Sequence, residues 1–98
     1  MKEIRHIVAR GRVQGVGYRA FVAEEAERRG IQGWVRNRRD GTVEAVLAGS
    51  PESLAGIIQA SRRGPFGARV ETIEENKGSA DDLAKRRPGE SFSLLPTV

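Results

Sequence analysis

The sequence predicts an α+β sandwich with the element order βαββαβ, followed by one more short strand. Three observations carry this. Residues 4–12, 31–38, 42–48 and 68–75 read as short strands by alternation and by their apolar, β-branched content. Two segments of helical periodicity, 18–29 and 51–63, fall between the first and second and between the third and fourth of these strands. An Asp-Gly pair joins the two middle strands directly.

Each element has its own justification. The first strand, Ile4 to Arg12, contains Ile7 and Val8, with Val13 just beyond. Gly11, Gly15 and Gly17 then punctuate a loop. In the first helix, Tyr18 to Arg29, Tyr18, Val22 and Ala26 recur at four-residue spacing with Phe21 beside them. Glu24–Arg28 and Glu25–Arg29 stand at i,i+4 in the favourable order, and Gly30 sits where a helix ends. The second strand, Ile31 to Arg38, holds Trp34, a core or edge-covering side chain, and Val35. Asp40-Gly41 marks a hairpin because such a turn needs residues that accept positive φ. In the third strand, Thr42 to Ala48, Val43, Ala45 and Leu47 share one face and Thr42, Glu44 and Val46 the other.

The second helix starts at Ser50-Pro51-Glu52, as N-cap, first helical residue and dipole-compensating acid. Leu54, Ile57 and Ile58 form its apolar face, Gly56 weakens it by about 1 kcal/mol relative to Ala, and Gly64-Pro65 ends it. In the fourth strand, Ala68 to Glu75, Val70 and Ile73 are three apart, which implies a bulge. Asn76 to Ser91 is polar and reads as a long loop with room for a helical turn around Asp81–Lys85. Phe92 and Leu94 alternate in a final short strand. The order is the ferredoxin-like, split-βαβ arrangement: a mostly antiparallel sheet of four to five strands with two helices on one face. Two helices cover one face, so the other is expected to be partly open to solvent.

The chain is 98 residues with a formal charge of +4, which fits one domain spanning residues 1–98. There is no internal repeat and no linker. No apolar run approaches the ~20 residues of a spanning helix, and no signal-peptide stretch follows the first residues. The absence of cysteine excludes disulfide scaffolds, Cys-ligated metals and thiol nucleophiles, and fits the cytoplasm. One His, His6, supports neither a His-rich metal site nor a Ser-His-Asp triad with any spare parts, and it reads as a plain strand side chain. Arginine supplies 14 of the 17 basic residues. Such a surface suits anionic partners, or reflects composition alone. RNA-binding sheets of this kind usually stack bases on exposed aromatics. Here two of the five aromatics, Tyr18 and Phe21, lie on the first helix and no basic–aromatic run occurs, so nucleic acid is not an expected partner.

Two segments carry chemistry. In Gly11-Arg12-Val13-Gln14-Gly15-Val16-Gly17-Tyr18-Arg19, glycines let successive backbone N–H groups converge, and the helix start adds donors and partial positive charge. Arg19 contributes a planar cationic fork suited to phosphate oxygens. The segment is neither a Walker A loop nor a dinucleotide fingerprint. It is a cradle for an anion, or a plain strand-to-helix turn. In Gly33-Trp34-Val35-Arg36-Asn37, Asn37 is unusual for a strand. It caps the turn, or it presents a neutral amide to a ligand or water.

Both segments resemble the signatures of the acylphosphatase family, with Gly41, Val43 and Gly49 at the later spacings as well. The resemblance is good over residues 4 to 75. Ala9 stands where a larger aliphatic residue is usual, and the tail matches mainly in its closing strand. The resemblance implies hydrolysis of acyl phosphates to a carboxylate and inorganic phosphate, without metal or cofactor; together with the composition, the expectation is a cytoplasmic monomer that binds neither membrane nor nucleic acid. The resemblance also implies Arg19 as the phosphate-binding arginine and Asn37 as the residue that positions the attacking water. It implies a phosphate-binding loop of Gln14, Gly15, Val16, Gly17, Tyr18 and Arg19. A related domain inside larger maturation proteins handles carbamoyl phosphate, and the lack of any additional domain here weighs against that task.

Overall fold

A computed structural model describes residues 2–98. The elements run β1 (Glu3–Arg12), α1 (Tyr18–Arg29), β2 (Gln32–Asn37), β3 (Val43–Gly49), α2 (Pro51–Arg63), β4 (Arg69–Lys77), α3 (Ala80–Leu83) and β5 (Phe92–Leu94). The five strands form one sheet in the order β4-β1-β3-β2-β5. Every neighbouring pair is antiparallel except β2 with β5. This is the ferredoxin-like α+β fold expected from the sequence.

Alternation sets what each face of the sheet carries. Ile7, Ala9, Val35, Val43, Ala45, Leu47 and Ile73 point to one face and pack with Tyr18, Val22 and Ala26 of α1 and Leu54, Ile57 and Ile58 of α2. The opposite face is less open than two helices alone would leave it. Trp34, Val46 and Leu95 form a second cluster with Ile4 and with Leu83 of α3, and the Trp34 indole N–H donates to the Asp82 carbonyl at 2.7 Å. The segment after β4 therefore covers the part of this face around Trp34. A reciprocal cap starts α3: Ser79 Oγ accepts from the Asp82 N–H and the Asp82 carboxylate from the Ser79 N–H.

Several local expectations need adjustment. In α1, Arg29 pairs with Glu25 as expected, but Arg28 also turns to Glu25, at 3.0 Å, rather than to Glu24. Glu25 is the buried acid of the two, so both cations gather on it. The hairpin between β2 and β3 is longer than a two-residue turn. Arg38 N–H bonds to the Thr42 carbonyl, only Gly41 takes positive φ, and Asp40 caps the turn by accepting from the Thr42 N–H. Strand β4 runs to Lys77, with Asn76 and Lys77 paired to His6 and Arg5, where the sequence read as loop. An edge strand needs only its main-chain ladder, so polar side chains do not end it.

The predicted bulge is real. Arg10 faces Thr72 while Gly11 faces Val70, leaving Glu71 as the extra residue. Gly11 is obligatory there, since a Cβ would fall 2.2 Å from the Arg69 carbonyl oxygen. Gly56 also has a reason. The Arg29 side chain of α1 crosses α2 there, 3.0 Å from where a Cβ would stand.

Candidate functional site

The loop between β1 and α1 meets the end of β2 at one end of the sheet. Gly15 (φ 73°) and Gly17 (φ 79°) both take left-handed conformations, the kind of backbone in which successive N–H groups can converge on an anion. Added Cβ atoms at either glycine would meet open space, so conformation is what requires glycine there. Gly17 is the N-cap of α1 and offers no side-chain cap, so the first N–H groups of the helix have no capping side chain to bond. Arg19 lies in that first turn, half-buried, and no ion pair among the described residues involves it.

A cavity of about 200 Å³ opens between these groups and β2. Gly15, Gly17, Tyr18 and Arg19 line one side of it, and Asn37 and Leu94 the other. Its size suits a phosphoryl group better than a whole drug-sized ligand, for which ~300 Å³ is a usual lower bound. The Asn37 Oδ1 is fully buried and accepts no hydrogen bond from any described residue. A buried amide oxygen without a donor is rare in folded proteins. That oxygen is left without a partner beside the cavity that Asn37 and Arg19 both line.

The main chain around Asn37 is firmly held. Its carbonyl accepts from the Val98 N–H at 3.2 Å, and the Arg39 N–H donates to the Val98 carbonyl at 2.8 Å. The residues after β5 thus extend it beside the end of β2.

Gln14 and Val16 do not line the cavity. The Gln14 side-chain amide donates to the carbonyls of Arg38 (2.7 Å) and Thr42 (2.8 Å), which ties the glycine loop to the β2–β3 hairpin. What Gln14 can offer an anion is its backbone N–H. Val16 packs against the helical core. The Tyr18 phenol points away into the core and donates to the Ser61 carbonyl at 2.9 Å. Burial pushes that phenol up to about 12, so it stays protonated and serves the fold. Leu94 joins the lining although the sequence does not point to it. The alternation of Phe92 and Leu94 marks their strand, but nothing in the sequence says that β5 lies parallel to β2 beside Asn37.

No His or carboxylate lines this cavity. Among the described residues, no group of three or more His, Cys, Asp or Glu is placed to hold a metal ion. No described helix is long and apolar enough to cross a membrane.

Comparison with known proteins shows the family to which the chain is similar. A family model described as Acylphosphatase matches residues 5–89. A protein named acylphosphatase from Rhodopseudomonas palustris (strain BisB18) is 57% identical over 95 residues, covering 97% of this chain and 96% of that protein. One of the same name from Azorhizobium caulinodans is 57% identical over 99 residues and covers both chains fully, at 100%. Among solved structures, the acylphosphatase of Bacillus subtilis superposes with a TM-score of 0.81 at 34% identity, covering 97% of this chain and 99% of that one.

Proposed function

The chain belongs to the acylphosphatase family and is an acylphosphatase; from that premise we propose how its own residues hydrolyse the carboxyl–phosphate bond. The backbone N–H groups from Gly15 to Arg19 and the Arg19 guanidinium hold the non-bridging phosphoryl oxygens. The Asn37 side-chain oxygen accepts a hydrogen bond from a water and aims it at phosphorus. A P–O bond forms to that water as the P–O bond to the acyl oxygen breaks, and the electron pair leaves with the carboxylate. A carboxylate is a weak base and leaves readily. Positioning and charge stabilisation therefore do most of the work in a loose, in-line transfer.

The observation that carries this reading is the cavity that Gly15, Gly17, Arg19 and Asn37 line together, with the Asn37 Oδ1 bonded by no described residue. Since no His or carboxylate lines that cavity, the proton passes to a phosphate oxygen of the substrate. The amide array and Arg19 supply the charge stabilisation that a metal would otherwise provide, so the reaction proceeds with chelator present. The enzyme acts as a cytoplasmic monomer on small acyl phosphates.

Hydrolysis of benzoyl phosphate in the presence of chelator tests the assignment. Arg19→Ala loses rate and phosphate inhibition together, whereas Asn37→Ala loses turnover and keeps phosphate inhibition. If Asn37→Ala weakened phosphate inhibition as much as Arg19→Ala, the division of roles would be wrong.

A further inference from the structure

We propose that Glu44, on the sheet face opposite the cavity, is a positioning residue that aims Asn37. The proposal rests on the role given to Asn37 above. Glu44 is buried, although its face of the sheet is the one without α1 and α2. Its Oε1 accepts from Arg36 Nε at 2.8 Å. Its Oε2 accepts from Arg38 Nη2 at 2.9 Å and lies 2.7 Å from His6 Nε2. Burial raises the carboxyl, but the hydrogen bonds from Arg38, His6 and Arg36 outweigh it and bring Glu44 down to about 2. The group is a carboxylate at every working pH.

The register gives this cluster its meaning. Arg36 and Arg38 are the two neighbours of Asn37, and Arg36 lies directly across the ladder from Glu44. Successive residues of a strand point to opposite faces, so both arginines reach Glu44 while Asn37 faces the cavity. One carboxylate therefore fixes the residues on both sides of Asn37, and a roll of the strand end that re-aimed Asn37 would break both bonds. The clamp is anchored on either flank. Arg36 lies over the Trp34 ring at 4.5 Å, Trp34 is held by the Asp82 carbonyl, and His6 brings in β1.

Stability alone does not explain the cluster. Buried ion pairs are often no better for stability than apolar residues of the same shape. What they add here is a fixed geometry, and a water-positioning group misplaced by about 1 Å can lose on the order of 100-fold in rate.

The test compares Glu44→Gln with Arg38→Met, each assayed with benzoyl phosphate and with inorganic phosphate as inhibitor. Arg38 is 30% exposed, so its substitution leaves a folded protein if that at Glu44 does not. The expected result is a fall in kcat on the order of tenfold, a smaller share of the loss that a full misplacement causes. KM and phosphate inhibition stay within about twofold, because the cradle belongs to other elements. The NMR signals of the Asn37 side-chain amide, identified by their loss in Asn37→Ala, shift or broaden while those of the Gly15 and Gly17 backbone amides do not. Unchanged kcat in a folded variant overturns the proposal, as does a parallel loss of kcat and phosphate inhibition. If instead Asn37→Ala itself kept full turnover, the reading of Asn37 would fail first, and that outcome is separately visible.

Discussion

Replacing Gln14 with Leu separates two roles for that residue. The side-chain amide makes two hydrogen bonds, to the Arg38 carbonyl at 2.7 Å and the Thr42 carbonyl at 2.8 Å. Each is worth about 1 kcal/mol net. Neither acceptor is orphaned by the substitution, since Arg38 O still accepts from the Gly41 N–H and Thr42 O from the Arg38 N–H. The larger penalty for a stranded buried carbonyl therefore does not apply, and the loss is about 2 kcal/mol. In a domain of this size, 1 kcal/mol moves Tm by roughly 4–8 °C, so Gln14→Leu should melt roughly 10 °C lower. Phosphate inhibition should change less than about threefold, because the backbone amides and Arg19 remain. Thermal unfolding of ligand-free protein and inhibition of benzoyl phosphate hydrolysis read the two quantities independently. An unchanged Tm with phosphate inhibition weakened tenfold would refute the argument and give the Gln14 side chain to the anion.

Three other substitutions follow from particular contacts. In α2, the Ser61 carbonyl would bond to the N–H four residues on, but that residue is Pro65, so the Tyr18 hydroxyl takes the place. Tyr18→Phe should cost about 1–3 kcal/mol by chemical denaturation. The phenol is raised from 10 to about 12 by burial, so the unfolded chain ionises first as pH rises. Wild-type stability should thus fall between pH 10 and 12, a fall that Tyr18→Phe lacks. Glu44 is lowered from 4.5 to about 2, so its stabilisation is complete above the unfolded value and lost as pH falls from about 4.5 toward 2. Melting curves across that range should be steeper in pH for wild type than for Glu44→Gln, in which His6, Arg36 and Arg38 no longer face a carboxylate. Gly33 has φ 152°, and a Cβ there would fall 1.9 Å from the Val46 carbonyl oxygen, so Gly33→Ala should yield no stably folded protein, as read by circular dichroism.

How much was legible in the sequence depends on what defines each feature. Tyr18, Val22 and Ala26 predict α1 to the residue because helical periodicity and the Gly30 stop are local signals. The same holds for Ser50-Pro51 at the start of α2. Strand β4 outran its apolar pattern because its last residues are held by backbone pairing with Arg5 and His6. The covering of the second sheet face depends on Trp34 meeting Asp82, 48 positions apart, and no local pattern reports that. At the site, Gly15, Gly17, Arg19 and Asn37 stood out by residue type, and the structure gathers them around one cavity. The hydrogen bonds of Gln14, the wall formed by Leu94 and the clamp at Glu44 arise from tertiary contacts, so they became visible only in three dimensions.

In the mechanism proposed above, water attacks phosphorus, aimed by Asn37. Turnover of benzoyl phosphate in water enriched in oxygen-18, with both products analysed by mass spectrometry, tests it most directly. Attack at phosphorus puts one labelled oxygen in the inorganic phosphate and none in the benzoate, and Asn37→Ala loses this labelled release. Label in the benzoate would place the attack at the acyl carbon and contradict the mechanism.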